Sequence, residues 1–408
     1  MSREAAAPEL SARLDAVLDT AGRTSPAPGV QAALVGDGGV TWRGHYGVAD
    51  VTTGAPVTDD TVFCLASLGK TMVAALTLAQ VSRGLLLLDE PVGRWLPDVP
   101  GAGVVTPRML LTHTSGYPDI YESPELAPLF PSDGEVENGG TAYDPDREFT
   151  WEMLRAGFRE PVDPGRHWAY SNGGFIVLTE LLIRLLGGPG ALADAWTSLA
   201  ARSGGTITDD VLTPHRSRVA HDRLSHGYVE QPDGTVVDAY AAHPAAGVPT
   251  DLFGLPFGDG LFAGTAVGSA TFLHGLFVRR TVLDPDTVTL MTTTTPQAAA
   301  AGAEARDAAL TTYGMGAYRR EAAGGTWAGH QGTYGGFNVI AMSGAERGET
   351  LAVLTNVMGD DARAVPIWQA LAEALDPAPD PAPDPAPDPA PEQVDVRATD
   401  AAGSARTR

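Results

Sequence analysis

Residues 63–71 read FCLASLGKT, and apolar residues at helical spacing follow them, so this stretch predicts the start of a buried helix. Ser67 and Lys70 are three residues apart, which places both side chains on one helix face, within hydrogen-bond reach. A serine hydroxyl becomes a good nucleophile when a neighbouring base takes its proton, and a buried lysine with a lowered pKa is such a base. The pair predicts a catalytic serine, although an ordinary capped helix would explain the same residues.

Other catalytic signatures do not fit the sequence. Gly69, Lys70 and Thr71 resemble the end of a phosphate-binding loop. Such a loop needs a glycine five positions before Gly69, but that position is occupied by Cys64. There is no Gly-x-Ser-x-Gly elbow of the α/β-hydrolases. The nine histidines form no His-Glu-x-x-His motif and no cluster with cysteine, so we expect neither a metal nor another cofactor.

The composition argues against several kinds of partner and compartment. The chain has 408 residues and a formal net charge of −23, which repels nucleic acid and anionic lipid, so neither nucleic acid nor membrane is an expected partner. No apolar run approaches the roughly 20 residues that span a bilayer. One cysteine excludes a disulfide framework within the chain. With an initiator methionine and no visible signal peptide, we expect a cytoplasmic protein.

The hydrophobic pattern predicts an α+β fold built from both ends of the chain. Strand patterns occur at 30–35 and 40–48 and return at 313–319, 335–342 and 350–356, whereas helical patterns fill the middle. We therefore predict an antiparallel sheet flanked by helices, an α/β/α sandwich, formed by residues 8–66 and 312–375. A mainly helical region, 67–311, is inserted between them. Residues 118–148 are interpreted as a lid or substrate-binding wall, and the Asp-Pro-Ala-Pro repeats predict a disordered tail over 376–408.

Two further stretches carry candidate site residues. In residues 168–175, WAYSNGGF, Tyr170 and Asn172 are two apart, so in an extended loop both point to one side. We expect a nearby lysine to lower the pKa of the tyrosine, which would then relay protons, and the asparagine to contact both substrate and lysine. A buried tyrosine beside an asparagine cap is the structural alternative.

Residues 327–336, WAGHQGTYGG, read as a glycine-rich edge strand against which a peptide-like substrate could pair. There the Thr333 N–H could help to bind an oxyanion, and His330 would tune the local charge. A strand turn with a surface histidine is the alternative.

Together these stretches resemble the motifs of the serine β-lactamase and penicillin-binding-protein superfamily. The closest type is the group of class C β-lactamases, D-alanyl-D-alanine carboxypeptidases and family VIII esterases. The Ser-x-x-Lys motif falls on Ser67 and Lys70, Tyr-x-Asn on Tyr170 and Asn172, and Lys/His-x-Gly on His330 and Gly332. Residues 110–116, LLTHTSG, are also similar to a family segment.

The resemblance implies the family's sandwich-plus-helical fold and an acyl-enzyme on Ser67. It implies that Lys70 and Tyr170 move protons and that Asn172 positions substrate and lysine. The amides of Ser67 and Thr333 would form the oxyanion hole. Histidine at 330, where class C β-lactamases have lysine, argues against efficient β-lactam hydrolysis.

The sequence therefore predicts a serine hydrolase that cleaves an ester or amide of a small molecule or peptide. An alternative is an intracellular acyltransferase or peptide cyclase that passes the acyl group to an amine in a biosynthetic pathway. A non-catalytic binding or sensor module is a third interpretation. Labelling of Ser67 separates the third from the others, and the product formed separates the first two.

Overall fold

A seven-stranded antiparallel sheet lies at the centre of the fold, with the strand order β3-β2-β1-β12-β11-β10-β9. The first three strands precede Ser67 and the other four follow residue 312, so the prediction of a sheet built from both chain ends is confirmed. The strands of the chain are β1 (Gly29–Gly36), β2 (Gly39–Asp50), β3 (Ala55–Pro56), β4 (Phe63–Cys64), β5 (Val211–Leu212), β6 (Tyr228–Glu230), β7 (Val236–Asp238), β8 (Ala263–Gly264), β9 (Tyr318–Ala322), β10 (Gly325–Tyr334), β11 (Phe337–Gly344), β12 (Glu349–Thr355) and β13 (Val357–Met358).

Helices cover both faces of this sheet and make the central strands fully buried. The helices are α1 (Arg3–Thr24), α2 (Gly69–Ser82), α3 (Pro107–Leu111), α4 (Trp151–Arg155), α5 (Asn172–Leu186), α6 (Pro189–Ala200), α7 (Ala266–Leu273), α8 (Pro285–Thr292), α9 (Pro296–Glu304) and α10 (Ala364–Glu373). Helices α1 and α10 pack together on one face, and α7 packs against β1, β11 and β12 on the other. Every residue of β1 and β11 is buried, as expected for strands between two helical layers.

Helix α2 joins the helical region to the sheet. Twelve of its fourteen residues are buried, because it packs against α5 and α6 on one side and β10 on the other. A helix that is apolar on all sides belongs in a core. Its first turn, which carries Lys70, is therefore held by packing from both regions.

These elements belong to the described part of the chain, which is a computed structural model of residues 3–126, 150–204, 210–212, 223–239, 258–259, 262–304, 312–322, 324–359 and 363–376. Most of the predicted loop 118–148 and the predicted tail beyond residue 376 lie outside it. The boundaries proposed between the sandwich and the helical region stay a prediction. Among the described residues no single helix is long and apolar enough to cross a membrane, although the bent pair Asn172–Leu186 and Pro189–Ser203 would satisfy that test jointly.

The strand predicted at 313–319 is wrong in its position. Tyr313 instead forms an isolated bridge with Tyr318, and the strand runs over Tyr318–Ala322. Between them the chain turns back on itself, with the Gly314 N–H donating to the carbonyl of Ala317 at 2.9 Å and Gly316 at a φ of 76°. Glycine adopts that left-handed conformation without the Cβ clash of other residues, so the turn interrupts an otherwise strand-like pattern.

Candidate active site

The predicted nucleophile lies in a tight turn between β4 and α2. Ala66, directly before Ser67, has a φ of 44°, a left-handed conformation that is uncommon for a residue with a Cβ. Residues Ala66–Leu68 form one turn of 3₁₀ helix, and α2 begins at Gly69. Such strained backbone costs about 1–3 kcal/mol and persists only where surrounding structure imposes it, which is typical of functional sites.

Lys70 is completely buried, and its ammonium nitrogen joins three segments of the chain. The Nζ atom lies 2.9 Å from Ser67 Oγ, 2.9 Å from Asn172 Oδ1 and 3.0 Å from the main-chain oxygen of Asp259. Burial lowers the pKa of Lys70 to about 8, although the nearby carboxylates of Asp259 and Asp119 oppose that shift. About a tenth of this lysine is therefore neutral at pH 7 and about half at pH 8, and the neutral form is the one that a general base requires.

Tyr170 lies beside this pair, but its pKa moves in the direction opposite to our expectation. Burial raises the pKa of the Tyr170 phenol above its usual value, and a hydrogen bond with the Ser67 side chain only partly opposes the shift. Its ring centroid is 5.1 Å from Lys70 Nζ. The phenol is therefore protonated at neutral pH, which leaves Lys70 as the group able to act as the base. Sequence spacing could not show this, because the shift arises from burial.

His113 holds the loop that carries Tyr170 and Asn172. Its main-chain oxygen accepts a hydrogen bond from the Ala169 N–H at 2.9 Å, and its Nδ1 accepts one from the Ser171 N–H at 3.1 Å. The imidazole also packs on the Tyr170 ring, with 4.2 Å between centroids. Burial lowers the pKa of His113 well below its usual value, so the ring is neutral. The LLTHTSG segment drew attention to this position, but the sequence assigned it no role.

The same loop shows which residue caps the following helix. The Ser171 side chain accepts from the Gly174 N–H and caps α5, so Asn172 is the first helical residue and is not the cap. Its Oδ1 faces Lys70, and its Nδ2 donates to Asp119 Oδ2 at 3.2 Å. Asn172 thus links the buried lysine to a carboxylate that the sequence did not single out.

The third predicted motif lies on β10, next to the nucleophile. A methyl group at Gly332 would lie only 2.6 Å from the Ser67 main-chain nitrogen and 2.8 Å from the Leu65 oxygen, so the strand and the turn touch backbone to backbone. Only glycine allows this approach without displacing one of them. The close backbone approach found at Gly332 is to the nucleophile turn, and the pairing of a peptide-like substrate with this strand stays a prediction.

The register of the β10–β11 hairpin determines where the Thr333 amide points. Gly335 and Gly336 both have positive φ angles, 59° and 85°, and form a two-residue type I′ turn closed by Tyr334 and Phe337. In such a hairpin the closing pair is hydrogen-bonded and the next pair, Thr333 with Asn338, is not. The Thr333 N–H therefore points away from β11. Strand β9 pairs with β10 only over residues 325–329, so among the described strands this edge is open beside Ser67.

His330 lies in an aromatic environment and supplies no positive charge. Its Nε2 is 3.1 Å from the Tyr313 hydroxyl, and its Nδ1 is 2.5 Å from the Gln331 oxygen. Burial, with help from the charge on Lys70, lowers the pKa of His330 to about 3. The ring also packs against Tyr318, with 4.8 Å between centroids. The predicted role of His330 in tuning the local charge is thus limited to that of a neutral ring.

These elements enclose a cavity of about 260 Å³, here called the Ser67 cavity. It is lined by Ala66, Ser67, Tyr121, Tyr170, Asn172, Asp259, Gln331, Gly332, Thr333 and Tyr334. The sequence did not single out Tyr121 or Asp259; the former belongs to the stretch interpreted as a substrate-binding wall, and the latter to a glycine-rich loop. Within the described ranges, no three His, Cys, Asp or Glu side chains come close enough together to hold a metal ion.

Comparisons with known proteins show the family and the fold of the chain. A model of the Beta-lactamase family matches residues 14–376. Esterase EstB of Burkholderia gladioli is 35% identical over 251 residues, which cover 59% of this chain and 62% of EstB. Penicillin-binding protein 4* of Bacillus subtilis is 27% identical over 181 residues, 43% of this chain and 36% of that protein. The chain thus aligns with less than two thirds of either relative's length.

Among solved structures, D-amino acid amidase from Ochrobactrum anthropi SV3, complexed with L-phenylalanine amide, has a TM-score of 0.67 and 22% identity. The match covers 90% of this chain and 97% of the amidase chain, and at this identity it supports the fold alone. The predicted fold class and superfamily are confirmed. Because the family model spans nearly all of the chain up to residue 376, this protein belongs to the beta-lactamase family.

Proposed function

We propose that this protein is a serine hydrolase that cleaves an ester or amide of a small molecule or peptide through an acyl-enzyme on Ser67. The observation that carries the proposal is the 2.9 Å hydrogen bond between Lys70 Nζ and Ser67 Oγ, inside a cavity that also contains Tyr170 and the open edge of β10. Family membership and the name of an esterase among the similar proteins support this class of reaction.

In the first half-reaction, neutral Lys70 accepts the Ser67 proton while Oγ bonds to the carbonyl carbon. The carbonyl oxygen becomes an oxyanion that accepts hydrogen bonds from the main-chain N–H groups of Ser67 and Thr333, an interaction that strengthens as charge develops. The bond to the leaving group then breaks, and that group takes the proton from the Lys70 ammonium through the Tyr170 phenol. The products of this step are an alcohol or amine and the acyl-serine ester.

In the second half-reaction, water attacks the acyl-serine carbonyl and gives its proton to the same lysine. The C–Oγ bond breaks, Ser67 recovers its proton, and a carboxylic acid leaves. Acyl transfer to an amine would share the first half-reaction and replace water in the second. The cytoplasmic location expected from the sequence remains a prediction.

The test is covalent labelling followed by intact-protein mass spectrometry. We expect one fluorophosphonate adduct, located on Ser67 by peptide mapping, and hydrolysis of p-nitrophenyl acetate. Ser67→Ala should abolish both. Ser269→Ala is the control, because Ser269 is a buried serine that does not line the Ser67 cavity and its Oγ has no hydrogen-bond partner within the described residues; it should retain both.

Two results would change the assignment. Absence of both labelling and hydrolysis in the folded wild-type protein would favour a binding or sensor module. Amide product forming faster than acid, when a primary amine is added to the ester, would favour the acyltransferase.

A further inference from the structure

The Ser67 cavity is also bounded by residues that the proposed reaction does not use. We call Asp119, Tyr121 and Asp259 the acidic wall; Tyr121 and Asp259 line the cavity, and Asp119 contacts Tyr121 and Asn172. The Tyr121 hydroxyl donates to Asp259 Oδ2 at 2.5 Å, and the Tyr121 N–H donates to Asp119 Oδ1 at 3.1 Å. These contacts fix both carboxylates relative to the nucleophile.

Asp259 is the unusual member of the acidic wall. Only 6% of the residue is exposed, yet its Oδ1 has no hydrogen-bond partner within the described part of the chain. No described lysine, arginine or histidine forms an ion pair with it; Lys70 binds its main-chain oxygen instead. Burial raises the pKa of Asp259 to about 6, so the carboxyl is mainly ionised at neutral pH. A buried polar atom without a hydrogen-bond partner is costly, so the unpaired Oδ1 indicates a missing donor.

Among the described residues that line the cavity, none donates a hydrogen bond to Asp259 Oδ1. His330 is neutral. The Lys70 charge partly opposes the effect of burial on the pKa of Asp259. Lys70 nevertheless directs its Nζ at Ser67, Asn172 and a main-chain oxygen. When Lys70 gives up its proton to act as the base, the two carboxylates are left without a compensating cation among the groups described. The cavity is then negatively charged in the very state that begins the reaction.

We propose that the acidic wall binds a protonated primary amine on the acyl part of the substrate, so that the preferred substrates are small aminoacyl esters or amides. This inference rests on the proposed function and names its substrate class. A cavity of about 260 Å³ is slightly smaller than most ligand pockets, which suits a single aminoacyl group. Acyl groups that carry a carboxylate are disfavoured by the same charges.

The test compares ester probes that differ only in charge. Glycyl and β-alanyl p-nitrophenyl esters are paired with propionyl and butyryl esters of the same chain length, with the monosuccinyl ester as the anion. Rates are corrected for spontaneous hydrolysis. For at least one pair we expect the amine to raise kcat/KM about tenfold or more, the usual scale for a charge-assisted hydrogen bond, and we expect the anion to be the poorest substrate.

Variants then show which residue causes the preference for the amine-bearing ester. In Asp259→Asn the ratio of kcat/KM for the amine over its alkyl partner should fall towards one, whatever the absolute rates. Tyr121→Phe, which removes the donor to Asp259, should lower the ratio less. Asp238→Asn is the matched control, because Asp238 pairs with His226 at 2.8 Å and does not line the cavity; its ratio should equal that of wild type.

The outcomes distinguish this inference from the function on which it rests. Hydrolysis of the alkyl esters with no preference for the amine, or a preference that survives in folded Asp259→Asn, would overturn the amine site and leave the hydrolase intact. Failure of every ester to react, with no label on Ser67, would overturn both.

Discussion

Two sides of the Ser67 cavity are built in different ways. One side, the motif wall, consists of Ser67, Gly332 and Thr333, together with the buried Lys70 that contacts Ser67. These residues lie in the turn before α2, at the start of α2 and on strand β10. The acidic wall consists of residues from a 3₁₀ turn and a loop, joined by hydrogen bonds to the two carboxyl groups. In the motif wall, backbone contacts set the positions of the reacting atoms. In the acidic wall, side-chain chemistry sets the charge that a substrate meets, so the two sides separate reactivity from selectivity.

The sharpest test of the motif wall is at Thr333, because we propose that its main-chain N–H, and not its side chain, binds the oxyanion. Thr333→Pro removes the N–H that points to the cavity and costs no hydrogen bond to β11, so we expect kcat to fall by about a hundredfold or more. Thr333→Ala keeps the N–H and loses only the contact of Oγ1 with Asn338, 2.5 Å away, so its kcat should change little. Ester hydrolysis of both variants is the measurement, and equal losses would contradict a main-chain oxyanion hole.

The loop behind the motif wall is tested at His113. His113→Leu fills a similar volume but leaves the buried Ser171 N–H without an acceptor, which should lower the free energy of unfolding by about 1–3 kcal/mol. His113→Asn provides an acceptor at a similar distance, and asparagine tolerates the φ of 55° found here.

In urea denaturation, the free energy of unfolding should therefore be highest for wild type, lower for His113→Asn and lowest for His113→Leu. Because this loop carries Tyr170, kcat should follow the same order. A leucine variant as stable and active as wild type would show that the hydrogen bond to Ser171 does not hold the loop.

The smallest expected effect links the two walls through pH. Neutral Lys70 is the reactive form, so kcat/KM for a neutral ester should rise with pH through a midpoint near 8. The Asp259 carboxylate raises the pKa of Lys70, so Asp259→Asn should move this midpoint to lower pH. Asp238→Asn should leave it in place. A midpoint that does not move would show that the two walls are electrostatically independent, and one that moves upward would contradict the stabilisation of the Lys70 ammonium by Asp259.

The motif wall could be predicted from the sequence because its chemistry requires particular residue types at short, fixed spacings. Ser67 and Lys70 are one helical turn apart, and the glycine at 332 is required by the close approach to the nucleophile turn. The strands of the large sheet were visible for a similar reason, since buried strands read as short apolar runs between turn residues.

The acidic wall had no comparable signal. Tyr121 and Asp259 are 138 residues apart, and neither belongs to a periodic pattern or a spaced motif. The direction of the Tyr170 pKa was missed because burial, which only the folded chain provides, outweighs the effect expected from Lys70. Local spacing therefore predicted reactive groups, whereas contacts between distant loops determine their protonation and the charge around them.

The three residues that accept hydrogen bonds from Lys70 Nζ are separated from Lys70 by 3, 102 and 189 positions in the sequence, so no short segment can assemble them. A nascent or misfolded molecule accordingly contains an ordinary serine hydroxyl. It follows that stoichiometric acylation of Ser67 would report the fraction of natively folded molecules in a preparation, and that the fraction labelled during refolding would mark the moment at which the last of these segments docks.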